Sequence, residues 1–183
     1  MLIASRDPIF PAPFVSSMMR VEPAWIDYNG HLNMAYYNVL FDRTVDEVFE
    51  LLECGVDYVK TRKHSCYSAE VHVRYLRELH ADDAVQVTWQ LLDYDAKRMH
   101  YFEQLLHAGE GWLSATSENM SLHVDMEAGK TAPFPGACRR AACRHESGSC
   151  PFAAAGRGWT PHCDAAGVSR RLSQTCAVTA ILC

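Results

Sequence analysis

The sequence lacks the apolar run of about 18 residues that a membrane-spanning helix requires. It is also poor in basic residues, with 17 Lys and Arg against 22 Asp and Glu, so it lacks the positive field of a nucleic-acid-binding protein. The first residues do not show the basic-then-apolar order of a secretory signal. We therefore expect a cytoplasmic protein that binds neither nucleic acid nor membrane.

Cysteine and positive charge are scarce in one part of the chain and concentrated in the other. Residues 1–135 hold two of the eight cysteines and 11 Lys and Arg against 20 Asp and Glu, whereas residues 136–183 hold six cysteines, six Arg and two acidic residues. We predict one domain over residues 1–135 and an atypical Ala-, Arg- and Cys-rich tail over 136–183. A shifted reading frame and a disordered segment both explain such a tail.

The tail cysteines raise the question of a metal site. Cys138, Cys143, His145 and Cys150 follow one another at spacings that match no standard zinc ribbon or finger. We therefore predict no bound metal.

The segment from Asn33 to Cys54 has the pattern of an amphipathic helix. Its apolar residues recur every three or four positions, and Asn33 is a suitable N-cap. The breadth of the apolar arc is typical of a helix packed deeply on a sheet. Gly55 is the predicted C-terminal stop.

The remaining segments alternate with a period of two and predict strands. The predicted strands are Phe14 to Trp25 before the helix and, after it, His64 to Leu76, Ala84 to Asp93, Met99 to His107 and Trp112 to Val124. We predict an α+β fold in which one long helix lies against a five-stranded, mostly antiparallel sheet, with the last four strands in a meander. Five strands cannot cover such a helix on every side, so we expect a homodimer or a higher homo-oligomer.

Polar residues cluster between the first predicted strand and the helix, in the run Trp25-Ile26-Asp27-Tyr28-Asn29-Gly30-His31-Leu32-Asn33. The first amides of a helix have no partners within the helix and can hold an oxygen that gains negative charge. A carboxylate such as Asp27 on the other side of a carbonyl group could attack it or activate a water molecule. Asp27 and Asn33 could equally be only turn and cap residues, with His31 a structural donor.

The motif Asp27-x-x-Gly30-His31-x-Asn33, followed by Tyr37 and the helix, resembles the hotdog-fold acyl-CoA thioesterases of the 4-hydroxybenzoyl-CoA thioesterase type. The run from Trp25 to Tyr37 and the run Leu91-Leu92-Asp93-Tyr94-Asp95-Ala96-Lys97-Arg98 are most similar to the betainyl-CoA thioesterases of carnitine catabolism. The resemblance covers residues 14–135.

This resemblance implies roles for the motif residues. Asp27 stands at the position of the family's catalytic carboxylate, whether nucleophile or general base, and His31 and Asn33 would orient the reacting groups. The backbone amides of Gly30, His31 and Leu32 would form the oxyanion site. No cofactor is implied, since coenzyme A enters only as part of the substrate.

A quaternary ammonium substrate would be held by aromatic faces and a carboxylate. The candidate substrate-binding residues near the motif or on the next strand are Trp25, Tyr28, Tyr36, Tyr37, Tyr67 and Glu70. Only one of the two adjacent residues Tyr36 and Tyr37 can face the sheet. The candidates for binding the phosphates of coenzyme A are Arg74, Lys97 and Arg98.

The sequence leaves two alternatives to thioester hydrolysis. His31 beside a carboxylate also suits an enoyl-CoA hydratase or dehydratase of the same fold. The aromatic residues also suit a non-catalytic module that binds an acyl-CoA or a betaine-like cation.

Overall fold

The computed structural model describes residues 11–138 and Ala142. Its main helix, α1, spans Met34–Leu51. The Asn33 side chain accepts a hydrogen bond from the backbone amide of Ala35 at 3.0 Å, which confirms the predicted N-cap.

The end of α1 differs from the prediction. Glu53 has a φ of 59°, and its amide and that of Cys54 donate to the carbonyl groups of Glu50 and Phe49. This pair of bonds closes the helix in a Schellman motif three residues before the predicted end. Gly55 is not the stop but the residue before a second helix, α2, at Val56–Arg62.

Seven strands of the described residues form one sheet. They are β1 at Phe14–Val15, β2 at Met19–Arg20, β3 at His64–Tyr75, β4 at Ala84–Tyr94, β5 at Arg98–His107, β6 at Leu113–Asp125 and β7 at Lys130–Thr131. The order is β1-β4-β5-β6-β3, with β2 beside β4 and β7 beside β6, and all these pairs are antiparallel. The predicted four-strand meander is wrong at one point, because β3 pairs with β6 and only β4, β5 and β6 follow one another.

The predicted first strand, Phe14 to Trp25, is broken into β1, β2 and a 3₁₀ turn at Pro23–Trp25. The Ser16 amide donates to the Val87 carbonyl, and the Val87 amide donates to the Ser16 hydroxyl group, before the chain leaves the sheet. Pro23 has no amide hydrogen and begins the 3₁₀ turn. The predicted strand therefore could not continue to Trp25.

α1 lies on one face of the sheet, which we call the helix side. Buried residues of α1 such as Leu40 and Val48 pack there against β4 and β5 residues such as Val87 and Tyr101. This apolar contact fixes the position of the start of α1 over one end of the sheet. The α+β hotdog architecture predicted from the sequence is confirmed, with two more short strands than expected.

The helix-side core extends beyond the predicted domain boundary. Phe134, Cys138 and Ala142 are 4%, 1% and 2% exposed and belong to the same apolar cluster as Val48 and Trp89. The rest of the predicted tail, residues 139–141 and 143–183, lies outside the described residues.

Candidate active site at the start of the main helix

A tight loop carries Asp27 to the start of α1. Ile26 and Leu32 form an isolated antiparallel bridge, and the Asp27 amide donates to the His31 carbonyl at 3.1 Å. Gly30 closes the loop with a φ of 87°, a conformation that favours glycine. Asp27 is therefore fixed within a few residues of the helix N-terminus.

The Asp27 carboxylate is partly engaged by its own loop. One oxygen accepts the Asn29 amide at 2.8 Å, and the other lies 3.4 Å from the Asn29 side-chain nitrogen. This second oxygen has only that one weak protein contact. The Asp27 side chain as a whole remains 15% exposed, which leaves some access from outside. This arrangement orients the carboxylate in the way that an Asx turn does.

His31 lies between two carboxylates. Its Nδ1 is 3.9 Å from Asp27, and its Nε2 is 3.9 Å from Glu78. Both distances are too long for hydrogen bonds but allow electrostatic attraction to a protonated imidazole. Sequence reasoning did not identify Glu78, because it follows β3 and comes close to His31 only through the fold.

Two of the three predicted oxyanion donors are unavailable. The Gly30 amide donates to the Asp27 carbonyl at 3.0 Å, and the Leu32 amide donates to the Leu79 carbonyl at 2.7 Å. These bonds hold the loop in place and correct the prediction for both amides.

The amides of His31 and Met34 are among those that remain. In the first turn of α1, the Asn33 side chain and carbonyl accept the amides of Ala35 and Tyr36. Within residues 11–138 no acceptor is found for the amides of His31 and Met34. Sequence reasoning missed Met34, although it follows directly from Asn33 being the N-cap.

The predicted aromatic residues near the motif have different surroundings. The Trp25 ring stacks on Tyr36 with centroids 5.3 Å apart, and the Arg43 guanidinium lies 5.0 Å from the Trp25 centroid. Trp25 therefore already binds a cation of its own chain. Tyr28 is 98% exposed, so its ring is not packed against the described part of the chain.

Tyr37 is the member of the predicted Tyr36 and Tyr37 pair that faces the sheet. It is 4% exposed and packs edge-on against Tyr75, with centroids 5.0 Å apart. Burial raises the pKa of its hydroxyl group, despite hydrogen bonds with Ser114 and the Leu79 backbone. The Tyr75 hydroxyl group also reaches the Met34 carbonyl at 3.4 Å, so these two rings brace the helix start.

Three predicted binding residues lie on the other face of the sheet. In the register of β3 with β6, Tyr67, Glu70 and Arg74 pair with Leu122, Met120 and Thr116. Directly paired residues share a face, and these β6 positions alternate with the buried helix-side positions. Within one subunit, Tyr67, Glu70 and Arg74 therefore do not face the helix start.

Lys97 and Arg98 are also distant from Asp27 in the same subunit. Arg98 pairs with Leu122 of β6, whereas the helix start lies near Tyr75, which pairs with Ala115. Seven residues of strand separate these positions, which is about 23 Å. Arg98 also forms an ion pair with Asp95. Burial raises the pKa of the Asp95 carboxyl group, but hydrogen bonds from Arg98 and from the Lys97 amide outweigh it and lower this pKa.

No group of three or more His, Cys, Asp and Glu side chains in the described part of the chain is arranged to hold a metal ion. Cys143, His145 and Cys150 lie outside that part. The absence of a metal and of a cofactor therefore stays a prediction. None of the described helices is long and apolar enough to cross a membrane.

Comparison with known proteins identifies the class. The family model described as the thioesterase-like superfamily matches residues 21–142. The chain therefore belongs to the thioesterase-like superfamily, and its helix on an antiparallel sheet is the hotdog fold. The match runs seven residues beyond the boundary predicted at residue 135.

The chain is also similar in sequence to individual thioesterases. The chain is 36% identical over 116 residues to a betainyl-CoA thioesterase of Pseudomonas aeruginosa, covering 63% of this chain and 73% of that protein. It is 41% identical over 116 residues to an L-carnitine dehydrogenase/betainyl-CoA thioesterase of Rhizobium meliloti. The match covers 63% of this chain but spans only 23% of that longer protein.

The fold also matches solved structures. A hypothetical protein of Staphylococcus aureus, solved in complex with CoA, superposes with a TM-score of 0.72 at 23% identity. The alignment covers 84% of this chain and 93% of that one.

Proposed function

We propose that this protein hydrolyses an acyl-CoA thioester, with betainyl-CoA as the substrate, to release a carboxylic acid and free coenzyme A. The observation that carries the proposal is the Asp27 carboxylate, oriented by its own loop beside a helix N-terminus that keeps two amides free. The names of the relatives support the substrate and a place in carnitine catabolism.

The chemistry needs little beyond these groups. The amides of His31 and Met34 would hold the carbonyl oxygen as it gains negative charge. As a nucleophile, Asp27 would displace the thiolate of coenzyme A and form a mixed anhydride, which water then cleaves. As a general base, it would take a proton from the attacking water. Label in Asp27 after single-turnover hydrolysis in ¹⁸O-labelled water would identify the nucleophile, because only cleavage of the anhydride at the protein carbonyl puts label into Asp27.

Thiol release tests the function directly. We expect the purified protein to release free thiol from betainyl-CoA faster than from acetyl-CoA or a long-chain acyl-CoA. No release above the buffer rate from any acyl-CoA would contradict the proposal. Release that does not favour betainyl-CoA would contradict only the choice of substrate.

One observation supports a second candidate reaction. The His31 imidazole lies 3.9 Å from Asp27 and could exchange a proton with it if the two groups moved closer. A hydratase would use such a pair to move a proton next to the thioester carbonyl. Loss of the enoyl-CoA absorbance without thiol release would favour this alternative.

We also propose that the active form is a homodimer. β3 has 12 residues, is paired on one side with β6 and ends the sheet in the described structure. Tyr67, Val71 and Tyr75 along it are 41–46% exposed, and Leu76 just after it is 49% exposed. Such an open edge pairs readily with another strand. An antiparallel pair of β3 strands would bring the end of the partner that carries Lys97 and Arg98 towards the helix start.

A further inference from the structure

His31 brings a backbone donor and a titratable side chain to the same place. Its amide has no acceptor within the described residues, and its ring lies between the carboxylates of Asp27 and Glu78. A thioester carbonyl held at this amide would lie only a few bond lengths from the ring of the same residue. The sulfur atom, which is bonded directly to the carbonyl carbon, would then be within reach of that ring.

The polar contacts that the described residues make with the His31 ring are all with hydrogen-bond acceptors. Nδ1 faces the Leu32 carbonyl at 3.4 Å and Asp27 Oδ1 at 3.9 Å, and Nε2 faces Glu78 Oε1 at 3.9 Å. Acceptors at both nitrogens match the doubly protonated ring, because only that form has an N–H on each side. No Lys or Arg of the described residues lies within ion-pair distance of Asp27 or Glu78. His31 is therefore the cation that these two carboxylates share.

The backbone fixes the position of Glu78 opposite His31. The Leu79 carbonyl accepts the Leu32 amide at 2.7 Å, which ties the residue after Glu78 to the residue after His31. The Glu78 side chain is 67% exposed, so solvent screens its charge and the ion pair adds little to stability. Its effect on the ring can therefore be tested without unfolding the chain.

We propose that His31 is the general acid of the reaction and gives a ring proton to the coenzyme A sulfur as the C–S bond breaks. Glu78 is a positioning residue that holds the protonated ring beside the thioester. The inference rests on the proposed thioesterase function and supplies a proton donor for its leaving group. An alkyl thiolate is basic, so its departure is faster when a proton is transferred to it in the same step.

The protons balance whichever role Asp27 has. With Asp27 as general base, the water oxygen bonds to the carbonyl carbon and the C–S bond breaks, while Asp27 takes a water proton and the sulfur takes one from His31. The Asp27 carboxyl group, 3.9 Å from Nδ1, then returns a proton to the neutral ring. With Asp27 as nucleophile, its oxygen forms the new bond to carbon, and the neutral ring later takes a proton from the water that cleaves the anhydride. In both cases a thioester and water give an acid and a thiol.

Leaving groups of different basicity isolate this step. The pantetheine and para-nitrothiophenol esters of the acyl group that the wild type hydrolyses fastest differ only in the thiol, and the nitrothiophenolate is a weak base that leaves without a proton. We expect His31→Gln to lower kcat/KM about 100-fold for the pantetheine ester but less than about threefold for the nitrothiophenyl ester. The substitution keeps the backbone amide of residue 31, so the oxyanion site is not removed with the ring.

A double-variant cycle tests Glu78. Glu78→Gln should lower kcat/KM for the pantetheine ester about three- to fivefold, the effect of one solvent-screened ion pair, and should leave the nitrothiophenyl ester unchanged. In the His31→Gln background the same change should have no effect, because Glu78 acts only through the ring. Glu110→Gln is the matched control and should change neither ester. Glu110 is also exposed at this end of the sheet, but its carboxylate accepts a hydrogen bond from Trp112.

Three results would overturn the inference. Equal losses on both esters in His31→Gln would mean that the ring does not protonate the leaving group. Unchanged hydrolysis of the pantetheine ester in that variant would remove any role for the ring. A Glu78→Gln loss that persists in the double variant would separate Glu78 from His31.

The same assay separates this inference from the proposed function. A wild type that releases no thiol from either ester, or from any acyl-CoA, would refute the hydrolase and the general acid together. Thiol release by the wild type with no difference between the two esters in His31→Gln would refute only the general acid.

Discussion

At the scale of single residues, Asp27 combines a structural and a chemical role. Its carboxylate closes an Asx turn through the Asn29 amide, yet it keeps 15% of its side chain exposed beside the helix start. The turn and the chemistry do not compete, because the turn bond uses one oxygen and leaves the other weakly bound. The structural explanation of Asp27 from the sequence is therefore compatible with the catalytic one.

Replacing Asp27 by Asn tests the chemical role. The amide oxygen of Asn can still accept the Asn29 amide, so the loop should keep its shape. It cannot attack a carbonyl or take a proton from water, and we expect kcat to fall about 100-fold or more. Asp57→Asn on the exposed surface of α2 is the control and should keep full activity. Near-normal turnover of Asp27→Asn, measured by thiol release, would refute the assignment.

Glu103 makes stability depend on pH in a predictable direction. Burial and the Asp42 charge raise its folded-state pKa, and Tyr101 is the other titratable neighbour. A raised carboxyl pKa stabilises the folded state fully below the ordinary pKa of Glu and loses that contribution as pH rises towards the folded value. The free energy of unfolding of the wild type should therefore fall relative to Glu103→Gln, by up to about 1.4 kcal/mol per pH unit.

Urea unfolding of the two proteins between pH 5 and pH 8 measures this difference. Gln at position 103 can still accept the Asn119 hydrogen bond, so packing is nearly preserved. A difference between the two proteins that stays constant over this range would mean that Glu103 does not titrate abnormally.

The sequence predicted the position of the site more accurately than it predicted the side chains that contact the site. The motif from Asp27 to Asn33 predicts a carboxylate before a helix because both are local features of the chain. Glu78 and Tyr75 reach the site only through the fold. Tyr67, Glu70 and Arg74 are predicted from their residue types on the strand after the helix, but strand pairing places them on the other face.

At the scale of elements, the start of α1 depends on Asn33. Its side chain accepts the Ala35 amide, which leaves the Met34 amide as a free donor. The resemblance implied a catalytic role for Asn33, whereas the contact that the structure shows is that of a cap. A cap and a catalyst respond differently to substitution.

Asn33→Ala should lower the free energy of unfolding by about 1 kcal/mol, because it removes the cap. Asn33→Asp and Asn33→Ser can both accept the amide hydrogen and should restore stability. If Asn33 acts only by forming the helix start, the same two variants should also restore kcat. Restored stability with lost turnover, measured by thermal melts and thiol release, would show a direct role in the reaction.

The element boundaries show what local patterns can and cannot predict. The helical stripe predicted α1 because its apolar face is continuous in sequence and buried as a unit. The helix end was misplaced because Glu53, a residue that disfavours positive φ, adopts φ 59° and closes the helix before Gly55. The strand from Phe14 was overextended because edge pairing with β4 stops where Pro23 has no amide to donate.

At the scale of the whole molecule, the sheet order leaves a long strand open at one edge, which supports the proposed dimer. β3 follows the helix in sequence, but it lies beyond β6 at the edge furthest from β1. Alternation alone predicted four strands and could not predict that the first crosses to the far edge. This order leaves 12 residues of β3 open at the edge of the sheet.

Pairing of two β3 strands gives a final prediction. The wild type should sediment as a dimer, and its thermal midpoint should rise with protein concentration. The double variant Tyr67→Lys, Val71→Lys places a charge on each face of the open strand and should sediment as a monomer, because like charges oppose strand pairing. Met18→Lys is the matched control: Met18 is 63% exposed but lies by β1 and β2, far from β3.

A wild type that is monomeric at all concentrations, or a double variant that stays dimeric, would place the interface elsewhere or remove it. Loss of thiol release together with the dimer would further indicate that the partner completes the site, since Lys97 and Arg98 of the same subunit lie about 23 Å along the sheet from the helix start.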